Sequence, residues 1–296
     1  MPFIVPSVKQ SLILAAMALA LAGCSPLAPL NFVISDKHYT LLADQAYGDN
    51  QRQKLDVYFP KENIQSAPVV VFYYGGSWRG GERGNYAFVG EALAAHGMIA
   101  VVVDYRVYPE VTYPAFLQDS ASAVAWVEKE RQQWQDQPQP LFVMGHSAGA
   151  YNAAMLALDD RWLAEQNLSR DILSGWIGLS GPYDFIPIVN PQVKPVFHHP
   201  DTPEDSQPLF HASASSPPAL LLAATPDKLV DPKRNTLQLA DKLRDDGVSV
   251  ETDTFESLNH YTILLAMARP FQGWEPIIQQ IQAFTFDHAG TTVPSD

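Results

Sequence analysis

The chain has 296 residues, of which 47% are hydrophobic and 17% are charged, so it can form a sizeable core and is neither disordered nor of low complexity. Its single cysteine excludes an internal disulfide, a zinc site built on several cysteines and an iron–sulfur site. The formal charge of −13 argues against nucleic acid as a partner, because phosphate binding needs clustered Lys and Arg.

Residues 1–23 have the pattern of a secretory signal peptide. Lys9 precedes an apolar run, 12–22, that is too short to cross a bilayer as an anchor helix. The run ends in Leu21-Ala22-Gly23-Cys24, which resembles the bacterial lipobox. This resemblance implies cleavage before Cys24 and lipid modification of its thiol, which attaches the protein to a membrane. The alternative is an ordinary signal peptide followed by a chance cysteine.

The residues after Cys24 bear on location and on domain organisation. Ser25 and Pro26 follow, without the Asp that often retains such lipoproteins in the inner membrane, so the outer membrane of a bacterial cell envelope is the preferred location. Residues 24–36 have no periodic pattern and are interpreted as a tether. Residues 37–288 are interpreted as one domain and residues 289–296 as a C-terminal tail.

Short apolar runs predict the strands of this domain. An alternating segment, 54–59, indicates an edge or antiparallel strand. The other runs are continuously apolar, as in strands buried on both faces of a parallel sheet: 67–74, 98–103, 141–144, 176–179 and 219–223. Residues 248–255 alternate again. Strands that alternate with helices along the chain predict an α/β fold, with a mostly parallel sheet and helices on both faces.

Three helices are predicted between and after these strands. Apolar residues at 117, 121, 124 and 127 predict a helix from near Pro114 to near Gln132. Asp231, followed by Pro232, is typical of a helix start, and this helix is expected to end at Gly247. A last helix is expected over about 274–284.

Residues 182–218 interrupt the alternation of strands and helices. They contain nine prolines and little periodicity, which is typical of a functional loop or lid. The segment also holds His198, His199 and His211 near Asp201 and Glu204. The irregular spacing does not favour a metal site, and no metal or other cofactor is expected.

Gly145-His146-Ser147-Ala148-Gly149 matches the pattern G-x-S-x-G between a predicted strand and a helix-favouring run. A strand–turn–helix of this kind exposes its central serine at the top of a sheet, and small neighbours allow the sharp turn. Ser147 is therefore the candidate nucleophile; the alternative is a glycine-rich turn.

A serine nucleophile needs a base and an acid, which follow it in the order acid then histidine in this fold. His260 lies in a polar loop after the last predicted strand and is the candidate base. Asp227 follows the strand over 219–223 and is the candidate acid, because Asp231 already caps a helix. Asp253 and Glu256 remain alternatives for the acid.

The glycine-rich turn after the strand over 67–74 is the candidate oxyanion hole. Its glycines allow main-chain N–H groups to turn toward a ligand. The candidate donors are the amides of Gly76, Ser77 and Ala148.

These motifs together resemble the α/β-hydrolase superfamily: Gly75-Gly76-Ser77-Trp78, Asp104-Tyr105-Arg106, Gly145 to Gly149, Ser180 to Asp184, Asp227 and His260. They look like the carboxylesterase branch that includes kynurenine-formamidase-like and bacterial feruloyl-esterase-like enzymes. The resemblance implies a serine esterase with an acyl-enzyme on Ser147. Tyr74 stands where that family usually has a histidine.

The expected substrate is a small neutral or aryl ester, with Trp78 and Tyr183 as candidate pocket residues. An arylformamidase would use the same residues. An alternative of another class is a non-catalytic envelope lipoprotein with a hydrolase-like fold. Nothing in the sequence specifies an oligomeric state.

Overall fold

The computed structural model describes residues 34–137 and 139–289. The predicted signal peptide and Cys24 lie outside these ranges, as do most of the tether and all of the tail except Ala289. The strands are β1 Tyr39–Ala46, β2 Lys54–Pro60, β3 Val69–Tyr73, β4 Ile99–Val103, β5 Leu141–His146, β6 Leu173–Leu179, β7 Ala219–Ala224 and β8 Val250–Phe255. The α-helices are α1 Ala87–Ala95, α2 Ala115–Trp134, α3 Ala148–Leu158, α4 Arg161–Ala164, α5 Gln238–Asp245, α6 Thr262–Leu265 and α7 Ile277–Asp287.

The strands form one sheet in the order β1-β2-β4-β3-β5-β6-β7-β8. β2 pairs antiparallel with β1 and β4, and the other neighbours are parallel. Every residue of β3, β4, β5 and β7 is buried, because helices cover both faces of the central sheet. The predicted α/β fold class is thus confirmed.

The helices confirm the apolar patterns in part. The helix predicted near 114–132 is found as α2, and the run after Ser147 forms α3. The helix predicted between 232 and 247 is divided into a π-helical turn, Lys233–Leu237, and α5. The last helix, α7, begins three residues later than expected.

Residues 182–218 lie between β6 and β7 and contain three short 3₁₀ helices, Lys194–Phe197, Glu204–Ser206 and Pro208–His211. The segment packs on the domain rather than extending from it. The Tyr113 N–H donates to the Val196 carbonyl at 2.9 Å, and the Tyr151 hydroxyl donates to the Ser206 carbonyl at 2.7 Å. Residues 182–218 therefore cover one end of the sheet.

Within the two described ranges, no helix is both long and apolar enough to cross a lipid bilayer.

Candidate active site

Ser147 lies at the turn between β5 and α3, where the backbone has φ 55° and ψ −121°. This left-handed φ is strained for a serine and raises its side chain above the end of the strand. The turn requires both flanking glycines. A Cβ at Gly145 would lie 2.1 Å from the Gly149 carbonyl oxygen, and one at Gly149 would lie 1.9 Å from the Tyr73 carbonyl oxygen.

The structure brings Ser147, Asp227 and His260 together at the carboxyl ends of parallel strands. Ser147 follows β5, Asp227 follows β7 and His260 follows β8. His260 Nε2 lies 2.9 Å from Ser147 Oγ, and His260 Nδ1 lies 2.6 Å from Asp227 Oδ2. Because the carboxylate accepts the Nδ1 proton, Nε2 is left to accept the serine proton.

Asp227 is held in its ionised form. Its side chain is only 1% exposed, and burial alone would raise the pKa of this carboxyl group. Four interactions together outweigh this effect of burial: the hydrogen bond from His260, the attraction of its positive charge, and the hydrogen bonds from the N–H groups of Val230 and Leu229. The pKa of Asp227 is therefore lowered. Leu229 N and Val230 N lie 2.8 and 3.0 Å from Asp227 Oδ1.

The glycine-rich turn after β3 lies directly against Ser147. A Cβ at Gly75 would lie only 2.9 Å from the Ser147 Cβ. Gly76 has φ 139° and Ser77 has φ 54°, so the turn uses backbone conformations that side chains disfavour. Within residues 34–137 and 139–289, the N–H groups of Gly76, Ser77 and Ala148 have no hydrogen-bond partner. Three main-chain donors beside Ser147 are therefore available to a developing oxyanion.

His146 has a structural task that the sequence analysis did not assign. Its Nε2 donates to the main-chain carbonyl of His260 at 2.7 Å, and the two rings lie 5.0 Å apart between centroids. Burial, and after it the positive charge of a protonated His260, together lower the pKa of His146 from 6.5 to about 3. His146 therefore stays neutral and holds the His260 loop against the Ser147 turn.

Tyr74, which replaces the usual histidine, is fully buried and bridges two charged groups. Its hydroxyl donates to Asp104 Oδ1 at 2.7 Å and accepts from Arg52 Nη2 at 2.9 Å. Burial raises the pKa of Tyr74 well above its usual value, so the phenol stays protonated. The ring stacks between those of Tyr86 and Tyr105. The Tyr74 ring also packs against Gly81, where a Cβ would lie 2.5 Å from it, and so supports the glycine-rich turn.

A cavity of about 930 Å³ opens at Ser147 and His260. One part of its lining is apolar and comes from the segments that follow five strands, β3, β4, β6, β7 and β8. It includes Trp78, Val107, Phe185, Ile188, Val189, Val193, Leu229, Val230, Tyr261 and Leu264. The remaining part is polar and includes Arg52, Arg79, Glu82 and Asn85. Such a cavity is large enough for a ligand of drug size.

The structure separates the two predicted pocket residues. Trp78 lines the cavity, and its indole N–H donates to Asn152 Oδ1 at 3.0 Å, which fixes the ring. Tyr183 does not line the cavity, so that prediction is wrong. Its ring is fully buried against Trp176, and its main-chain N–H donates to Asn235. Phe185, two residues further along, lines the cavity.

Two of the three histidines in the segment 182–218 bond to main-chain carbonyls of the domain. His198 Nε2 bonds to the Tyr113 carbonyl and His211 Nε2 to the Asp205 carbonyl, both at 2.7 Å. In the part of the chain that the structure describes, no group of three or more His, Cys, Asp and Glu side chains could hold a metal ion. Asp231, assigned to a helix start, accepts from the Lys233 N–H at 2.9 Å.

The sheet order, the Ser147 turn and the loop placement define an α/β-hydrolase fold. The chain belongs to the BD-FAE family, whose model matches residues 55–243. The match includes Ser147 and Asp227, whereas His260 lies beyond it.

The known proteins that this chain resembles in sequence or in fold include esterases and a formamidase. The chain is 31% identical over 156 residues to a probable isoprenylcysteine alpha-carbonyl methylesterase of Oryza sativa, covering 51% of this chain and 37% of that protein. It is 30% identical over 152 residues to the kynurenine formamidase of Danio rerio, covering 51% and 50% respectively. The chain thus spans half or less of the length of these relatives. Esterase B of Lactobacillus rhamnosis, solved with a tributyrin phosphonate inhibitor, has the same fold at 15% identity (TM-score 0.74, 97% of each chain).

Proposed function

We propose that the protein hydrolyses carboxylic esters through an acyl-enzyme on Ser147. The observation that carries this proposal is the pair of hydrogen bonds that His260 makes, to Ser147 at 2.9 Å and to Asp227 at 2.6 Å. The available N–H groups beside Ser147 and the esterase names of relatives and fold neighbours support it.

The arrangement supports a two-step acyl transfer. Ser147 Oγ attacks the ester carbonyl while its proton passes to His260 Nε2, and Asp227 stabilises the imidazolium. The carbonyl oxygen becomes an oxyanion that accepts from the amides of Gly76, Ser77 and Ala148. When the C–O bond breaks, the alcohol leaves with the proton from His260. Water then attacks the acyl-enzyme by the same route and releases the carboxylic acid and Ser147.

Replacement of the nucleophile tests the mechanism. With a short p-nitrophenyl ester, Ser147→Ala should lower kcat by about 10⁴-fold or more, because the substitution removes the hydroxyl that forms the acyl-enzyme. The matched control is Ser66→Ala, an exposed serine in the 3₁₀ helix Ile64–Ser66, which should retain wild-type turnover. A Ser147→Ala variant that kept most of its activity would contradict the assignment.

A covalent probe separates an enzyme from a non-catalytic envelope protein with the same fold. A fluorophosphonate should form one adduct per chain, on Ser147, detected by mass spectrometry of the digested protein. An unmodified Ser147 in folded protein would favour the non-catalytic alternative.

A second candidate function is hydrolysis of N-formyl groups. The similarity to a kynurenine formamidase favours it, since the same residues would attack a formamide carbonyl. Comparison of kcat/KM on formylkynurenine and on phenyl acetate decides between them. A higher value for the acetate supports the esterase, and a higher value for the formamide supports the alternative.

We further propose that the substrate is a small or aryl ester. We also propose that the protein is anchored to a cell envelope through Cys24. The aromatic lining at Trp78 and Phe185 supports the first point. The lipobox-like sequence before Cys24 supports the second, and Ser25 favours the outer membrane.

A further inference from the structure

Ion pairing separates two of the ten arginines from the other eight. All ten lie within the described residues, and eight have a carboxylate oxygen within 4.0 Å. Among residues 34–137 and 139–289, Arg52 and Arg79 have no acidic partner at this distance. Both line the cavity that contains Ser147. In a chain with a formal charge of −13, the two arginines without ion pairs therefore line the same cavity as the candidate nucleophile.

Arg52 is held by three hydrogen bonds, none of them made directly to a carboxylate. Its Nε donates to the Tyr105 carbonyl at 3.0 Å, and its Nη2 donates to the Gly81 carbonyl at 2.7 Å and to the Tyr74 hydroxyl. In the described part of the chain, Nη1 has no hydrogen-bond partner. A half-buried guanidinium that is already ordered loses little conformational entropy when it binds an anion.

Arg79 brings a second positive charge to the same cavity. Its guanidinium lies 4.4 Å from the centroid of the Tyr108 ring, and Nη1 donates to the Gln192 carbonyl at 3.3 Å. These contacts orient the side chain without cancelling its charge. Glu82 also lines the cavity and contributes one carboxylate. The charges of Arg52, Arg79 and Glu82 in the cavity lining therefore add up to one positive charge.

We propose that the ester substrate also carries a carboxylate, which binds at Arg52 and Arg79 while Ser147 attacks the ester carbonyl. This inference rests on the esterase function proposed above. A planar guanidinium matches a carboxylate in geometry as well as charge. A single anionic group fits the local charge, whereas a polyanion would be repelled by the acidic chain as a whole.

Two pairs of matched esters test the proposal. Mono-methyl adipate and its amide differ by a charge on the acyl side, and 4-acetoxybenzoate and 4-acetoxybenzamide differ by a charge on the alcohol side. For each pair, the measured quantity is the ratio of kcat/KM for the anionic ester to kcat/KM for the neutral ester. Any change in catalysis that a substitution causes equally for both esters cancels in this ratio. The intrinsic reactivity of the esters cancels when this ratio is compared between variants.

In at least one pair, Arg52→Gln should lower the ratio by about tenfold, as expected for the loss of a hydrogen bond to a charged group. Arg79→Gln should lower it by about threefold, because this side chain is exposed and its charge is screened. Arg52→Lys should keep part of the preference, since the charge remains. The matched control is Arg244→Gln, whose guanidinium pairs with Asp241 and does not line the cavity, and its ratio should equal that of the wild type.

The outcomes distinguish this proposal from the function on which it rests. If the wild type hydrolyses the neutral esters through Ser147 but neither arginine variant changes either ratio, the carboxylate proposal is overturned and the esterase function stands. If Ser147→Ala leaves hydrolysis unchanged, both proposals fail. If Arg52→Gln does not fold, Arg79→Gln still decides the result, because its side chain lies at the surface.

Discussion

Among single residues, Asp227 controls which nitrogen of His260 carries the proton. Asp227→Asn should lower kcat by about 10³- to 10⁴-fold. The asparagine amide would donate to His260 Nδ1 and leave the ring proton on Nε2, so that Nε2 could no longer accept the proton of Ser147. Turnover of a p-nitrophenyl ester checks this expectation.

The neighbouring Asp231 provides the control for Asp227. It caps the Lys233 N–H, and asparagine caps equally well, so Asp231→Asn should retain wild-type turnover. Equal losses in the two variants would contradict a specific role for Asp227.

His146 predicts a pH dependence of stability. Its pKa is about 3 in the folded protein and near 6.5 when unfolded, so the unfolded chain binds an extra proton between these values. This contribution to stability is present above about pH 6.5 and is lost as the pH falls toward about 3, by at most ~1.4 kcal/mol per pH unit. His146→Gln lacks this titration, so its free energy of unfolding should fall less steeply. Urea unfolding at several pH values measures the difference.

Two further variants complete the test of His146. The matched control is His199→Gln, at an exposed histidine that does not line the cavity, and this variant should keep the wild-type pH dependence. His146→Leu removes the donor to the His260 carbonyl and should lower kcat by about tenfold, whereas glutamine, which retains an N–H donor, should restore part of it. Identical kcat values for the Leu and Gln variants would exclude a positioning role.

The proximity of Ser147, Asp227 and His260 was predictable because each follows a strand of recognisable pattern at one edge of a parallel sheet. The task of His146 was not, since its partner lies 114 residues away in sequence and no local pattern signals the contact. The contact between Arg52 and the Gly81 carbonyl was not predictable either, because no local pattern signals it. The prediction for Tyr183 failed because proximity in sequence to a catalytic loop does not determine the direction of a side chain.

At the scale of elements, the turn between β5 and α3 depends on the absence of a side chain at Gly149. Gly149→Ala places a methyl group where the Tyr73 carbonyl oxygen lies, and backbone on both sides prevents relaxation. We expect a loss of about 2–4 kcal/mol in unfolding free energy and a lower kcat, because β3 and α3 must separate. Chemical denaturation and ester turnover measure these effects.

Gly273→Ala is the control for this turn. A Cβ there has no atom within 4 Å, and its φ is not in the left-handed region, so stability should change by less than about 0.5 kcal/mol. A similar loss in both variants would show that the close approach of β3 to α3 does not matter.

Elements were predictable where burial leaves a one-sided or continuous pattern. α2 has an apolar stripe and β3 an unbroken apolar run, and both were found. α1 was missed because it is buried almost all round and shows no helical periodicity. β1 was missed because most of its residues are exposed at the sheet edge, where no alternation is imposed. The strand over 54–59 is antiparallel as predicted, and β1 covers its outer side.

At the scale of the whole molecule, attachment to a membrane is expected to depend on Cys24. A lipid-modified cysteine carries several acyl chains, which supply the two or more signals that stable attachment needs. Expressed as the full chain in a Gram-negative bacterium, the protein should sediment with membranes and incorporate labelled palmitate. Cys24→Ala should remove the label and release the folded, active enzyme into the soluble fraction.

The residue after the anchor offers a matched variant. Ser25→Asp keeps Cys24, the proposed site of lipid attachment, but introduces the residue that often retains such lipoproteins in the inner membrane. Separation of the two membranes on a density gradient should find the wild type with the outer membrane and Ser25→Asp with the inner one, both labelled by palmitate. Membrane association that survived Cys24→Ala would contradict the anchor, whereas a wild type in the inner membrane would contradict only the location. Because the proposed anchor precedes the domain in sequence, separated from it by a predicted tether, ester turnover should be the same in all three proteins.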